Sequence, residues 1–144
     1  MTIPKRLPTV LTLPTLTVMF FDFVFTLVGQ PASYWANHKL YNEGSPLGIA
    51  LMPQSPYLFM AFLAIYLAAA NLLMRYLPLF PGLVLSVALY LGHFWGSSSW
   101  INVIFHASSV QNSWYQHIAY AVAVALMTTG WIWWYLRMTK EKAR

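Results

Sequence analysis

Four apolar runs, each of roughly 20 residues, decide what this chain can fold into: Thr9 to Gly29, Tyr57 to Tyr76, Leu79 to about Trp100, and Trp114 to Leu136. A helix rises ~1.5 Å per residue, so each run matches the ~30 Å hydrocarbon thickness of a bilayer. In hydrocarbon the backbone must satisfy its hydrogen bonds within the segment, so these runs read as helices and not as core strands. The expected fold is therefore all-α: a four-helix transmembrane bundle forming one domain over residues 1–144. Punctuation supports the division. Gln30-Pro31 closes the first run, Pro53 and Pro56 bracket the start of the second, and Leu77-Pro78 with Pro81 makes a tight turn into the third. Pro14 lies inside the first run, where it predicts a kink or a helix start.

Only 8% of the residues are charged and 59% are hydrophobic, against ~25% charged in soluble domains. The net charge of +5 does not describe a nucleic-acid face, because Lys5, Arg6, Arg137, Lys140, Lys142 and Arg144 all sit at the ends of spans. The first long connection carries only Lys39, and the last carries no Lys or Arg, whereas Arg75 ends the second span. The positive-inside rule then predicts an N-in/C-in protein in a plasma (inner) membrane, with both termini and the Arg75 turn cytoplasmic. Tyr34, Trp35, Tyr57, Trp95, Trp100 and Trp114 read as the outer aromatic belt, and Trp131, Trp133, Trp134 and Tyr135 as the inner one. The first run also follows Lys5 and Arg6 as a signal peptide would. Its length, its Asp22 and the lack of a small-x-small cleavage site favour a retained helix. With no cysteine, disulfides, thiol catalysis and Cys-ligated metals are excluded.

Polar residues inside the spans carry the functional information. Asp22 lies ~16–20 Å along the first helix, near mid-membrane, where a carboxylate costs at least ~2.5 kcal/mol unless paired or protonated. Thr15, Thr26 and Gly29 share its face. The third span carries a matching stripe of Gly82, Ser86, Tyr90, His93, Ser97 and Trp100, with His93 ~21 Å from its inner end. Asp22 and His93 are thus expected to meet. Ala61, Ala64, Ala68 and Asn71 of the second span, and His117, Ala121, Val124 and Thr128 of the fourth, read as packing faces. Between the first two spans, Asn42 to Pro46 reads as a turn back toward the membrane, and Leu47 to Met52 as an interfacial run too short to cross.

Asp22, Glu43, His93, His106 and His117 all fall in the outer half or just above it, and Glu43 is expected to fold over the helix ends toward His106 or His117. Such a set suits a divalent metal, a proton or a small ligand. No local HxxxH or ExxH spacing accompanies it. The plain alternatives are an Asp22–His93 pair with helix-capping or solvated histidines elsewhere, and a Glu43–Lys39 surface pair. A b-type haem between His93 and His117 is a third reading.

Asp22, Thr26 and Leu27 followed by Asn42, Glu43 and Pro46 resemble a pattern in small multi-spanning bacterial membrane proteins of unknown function, with Asp in the first helix and a Glu-x-Asn-Pro-like turn before the second. The similarity covers about the first 60 residues, and Ser45 stands where that pattern has Asn. It implies no activity and marks Asp22 and Glu43 as the pair to test. Two functional classes follow from the sequence. One is a membrane protein with its own outward polar pocket. The other is a non-catalytic accessory subunit or assembly factor whose partners are the lipid bilayer and other membrane subunits or copies of itself.

Overall fold

The computed structural model describes residues 8–105 and 110–142. Among these residues the chain forms six α-helices and one 3-10 turn: α1 (Thr9–Val28), α2 (Ala32–Ala36), the 3-10 turn (His38–Leu40), α3 (Pro46–Leu51), α4 (Pro56–Tyr76), α5 (Leu79–Ile104) and α6 (Val110–Lys142). Four of them, α1, α4, α5 and α6, are long and apolar enough to cross a membrane, as the hydropathy pattern predicts. α1 runs through Pro14, so the helix starts before the proline. Two Ser-Pro pairs start helices in the same way. Ser45 and Ser55 cap α3 and α4 by accepting from Gly48 N and Tyr57 N, and the prolines occupy a first-turn position whose N–H has no helical partner.

α1 is the hub. It touches the other three long helices and packs most extensively on α5. These two helices run side by side in the same direction, and their contacts repeat at one heptad. Thr15 hydrogen-bonds Ser86 Oγ at 2.8 Å, Asp22 meets His93, and Gly29 lies under the Trp100 ring. Every rung pairs residues 71 apart in sequence. Lipid offers no hydrophobic drive for helices to associate, so close approach at small residues and interhelical hydrogen bonds must supply it. The seam has both.

Polar bonds also tie the other helix pairs together. Thr12 donates to Asn71 of α4 at 3.3 Å, while Tyr90 bonds Thr128 at 2.9 Å and Tyr120 donates to Ser97 at 2.7 Å to hold α6. The expected face of α6 is the one that packs, with Val124 buried and Ala121 and Thr128 half-buried. On α4 the expectation holds at Asn71, half-buried against Thr12, and fails at the alanines: Ala61, Ala64 and Ala68 are exposed, and Phe59, Leu63, Ala70 and Met74 form the buried face. The large side chains there fill space beside Met19 and Phe23 that alanines would leave empty. Trp100 also departs from the belt, being buried against Gly29.

The connection between α1 and α4 is folded down onto the bundle. Tyr34, fully buried, donates to Met52 O at 3.3 Å. The Gln30 side chain pairs with the backbone of Asn42 in both directions, donating to its carbonyl at 3.0 Å and accepting from its N–H at 2.8 Å. That two-point clamp fixes where the next residue, Glu43, can reach.

Candidate functional site

The site begins with Asp22 and His93, the middle rung of the α1–α5 seam. His93 Nδ1–H donates to Asp22 Oδ2 at 2.7 Å, and both side chains are about 15% exposed or less. A carboxylate on Nδ1 fixes the ring and leaves Nε2 as the outward-facing nitrogen. Nε2 faces the Tyr66 hydroxyl of α4 across 3.4 Å. A hydroxyl of α6 braces the α5 backbone here: Tyr120 donates to Ser97 of α5, and Ser97 donates to the His93 carbonyl at 2.7 Å. Gly96 of α5 lies directly on the Asp22 carboxylate. Imidazole and carboxylate are therefore held in one orientation from three helices.

This cluster borders a cavity of about 520 Å³ between α1, α4 and α5, a size typical of small-molecule sites. Its walls divide by chemistry. Asp22, His93, Tyr66 and Glu43 supply the polar side, while Phe59, Phe62, Leu63 and Leu89 supply an apolar one. The α1–α4 connection closes one end with Glu43, Ser45, Pro46 and Leu47. Between α4 and α5 the cavity is bordered by Ala88 and Gly92, both exposed.

Glu43 reaches this cavity by a path that sequence spacing does not reveal. The Gln30 clamp sets its start, and its Oε1 accepts from Ser45 N at 2.7 Å. Its side chain lies over Gly48, where no Cβ would fit. Glu43 thus sits half-buried beside the Asp22–His93 cavity and not beside His117. It also forms no ion pair with Lys39. The ion pairs among the described residues are Asp22–His93 and the exposed Arg137–Glu141 at 3.2 Å.

Of the five sequence-predicted site residues, three line one cavity: Asp22, Glu43 and His93. His117 does not line it, and its Nδ1–H donates to Ser113 O at 2.8 Å. His106 lies outside the described residues. Among the described residues no three His or carboxylate side chains come together as a metal-binding group. The haem geometry finds no support either, because Asp22 and Tyr66 face both ring nitrogens of His93. Tyr66 was missed in the sequence. Its signal was a phenol in the middle of an otherwise apolar span, at a depth where its hydroxyl must find a partner.

The bordering groups can bind, orient and exchange a proton: a carboxylate-oriented imidazole next to a phenol, and a second carboxylate over the top. Comparison of the chain with family models, with curated proteins and with solved structures finds no match. The Asp22/Glu43 resemblance is one of pattern, and the functional argument rests on the site's own chemistry.

Proposed function

We propose that this protein is an intramembrane small-ligand-binding protein, with its site in the outer half of the bundle at the Asp22–His93 cavity, in the plasma membrane of a bacterium with both termini cytoplasmic. The observation carrying the reading is that a fixed Asp22–His93 pair and a loop carboxylate, Glu43, border one cavity of about 520 Å³. A purely structural ion pair needs no such space beside it, since protein interiors are otherwise close-packed. Intramembrane ionisable residues that face a cavity characteristically mark ligand or proton paths. The cavity beside the pair supports binding as the primary role, with a proton moving through Tyr66, His93 and Asp22 coupled to it.

The test is chemical analysis of the full chain purified in mild detergent, compared with His93→Phe. Solvent extraction and mass spectrometry should recover an organic molecule, near stoichiometric with the parent and depleted in the variant. A stoichiometric divalent metal in its place would move the site to the metal reading.

The alternative, a non-catalytic subunit or assembly factor, draws support from α6. Val124 is the one buried side chain among those described on that helix, so most of its length is open to a neighbour or to lipid. An ordered complex that co-purifies with the chain, together with an empty cavity in the analysis above, would favour it.

A further inference from the structure

We infer that the ligand is an amphiphile with one positive charge, an alkylamine or alkylammonium head on an apolar body, admitted sideways from the bilayer between α4 and α5. The inference rests on the pocket reading above and adds the chemistry of the occupant.

Charge comes first. The chain has three acids. Glu141 pairs with Arg137 and Asp22 with His93, which leaves Glu43 without a cationic partner among the described residues. Among the described residues no Lys or Arg borders the cavity either. With Asp22 ionised and a neutral imidazole the site carries two negative charges, and with an imidazolium or a protonated Asp22 it still carries the one on Glu43. An anionic ligand would meet like charge, and a neutral one would leave Glu43 with the Ser45 N–H and no opposite charge. A cation satisfies it. The aromatic rings of Phe59, Phe62, Tyr66 and Trp100 border the same space, and acid plus aromatic faces is the combination that holds amine and quaternary ammonium groups. A bare metal ion is a poorer fit, because no three ligating side chains converge.

The apolar part of the ligand follows from the deeper wall and the opening. Leu89, one turn from His93 on the side away from Glu43, extends the apolar wall begun by Phe62 and Leu63, and Gly92 stands exposed on α5. A Cβ built on Gly92 meets no atom within 4 Å. The gap beside it lies on the flank of the bundle, where a membrane-spanning protein meets acyl chains. A molecule already dissolved in the bilayer can enter there with its head drawn toward Glu43 and Asp22.

The experiment follows binding of tritiated N,N-dimethyldodecylamine to the full chain in phosphatidylcholine nanodiscs, with empty nanodiscs subtracted. Saturable binding is expected, with unlabelled dodecanol at least ~10-fold weaker as a competitor, the effect of losing one charged hydrogen bond. Glu43→Gln should weaken amine binding ~10-fold. Gly92→Phe should abolish it, since the ring fills the opening without meeting backbone. Both variants should keep the parent's thermal midpoint, which separates loss of binding from loss of fold. If dodecanol competes equally and Glu43→Gln changes nothing while Gly92→Phe still blocks, the pocket stands and the charge inference falls. If neither probe binds saturably, both fall.

Discussion

Gly96 of α5 rests against the Asp22 carboxylate of α1 so closely that a Cβ on it would lie 2.6 Å from Oδ1. The carboxylate cannot simply rotate away, because His93 Nδ1 holds its other oxygen at 2.7 Å. A methyl group at position 96 must either push α1 and α5 apart or break that bond. Gly96→Ala is therefore expected to destabilise the bundle by ~1–3 kcal/mol, the cost of leaving a buried polar group poorly paired. The contrast is Gly92→Ala, one turn away in open space, which should be neutral or slightly stabilising. Thermal unfolding of the two variants checks the difference.

Asp22 and His93 should behave as one unit. Removing one partner of a buried pair costs ~3–5 kcal/mol, because it strands the other, while replacing both is often nearly neutral. Asp22→Asn and His93→Phe are each expected to be strongly destabilising, and the double variant no worse than either alone. Additive losses in the double-mutant cycle would contradict the pairing.

Gln30 is expected to matter more than its position at a helix end suggests. Its side chain makes both bonds to the Asn42 backbone and a further one to Thr26 O at 2.8 Å. Gln30→Ala should release the outer connection at a cost of ~1–3 kcal/mol, and it should carry Glu43 away from the cavity. Limited proteolysis should cut the 41–45 segment faster in the variant, with the four long helices intact.

Orientation is open to direct test in this cysteine-free chain. Gly44→Cys, exposed in the outer connection, should react in intact cells with a membrane-impermeant maleimide. Thr139→Cys, exposed near the end of α6, should react only after the membrane is opened. The reverse pattern would invert the assignment of the cytoplasmic side.

What could be read from the sequence was whatever helical rise and periodicity control. The four spans, the polar stripe of α5 and the meeting of Asp22 with His93 all follow from counting residues along straight helices that start at known surfaces. What could not be read depends on side chains that reach between segments. Glu43 arrives beside Asp22 and His93, and not toward His117, because the Gln30 amide mimics a backbone partner for Asn42, a contact that no local spacing encodes. The packing face of α4 was misjudged because small residues were expected inside. Here the hub helix presents small and polar residues toward α5 and Met19 and Phe23 toward α4, so bulk from Phe59 and Leu63 closes that side. Tyr66 became visible only when His93 was seen with a nitrogen facing it.

The seam between α1 and α5 also has a clock in it. Its rungs join residues 71 apart, and the whole of α4 is made in between. At a synthesis rate of ~5–20 residues per second, about 4–14 s pass between the addition of Asp22 and that of His93. Through that interval the first helix carries an acid whose partner does not yet exist. It must wait protonated, or sheltered by the insertion machinery, until the third span is delivered. The newborn chain is thus most exposed to misassembly before its third helix arrives, and slowing translation between Tyr57 and Leu79 should lengthen that exposure and lower the yield of folded protein.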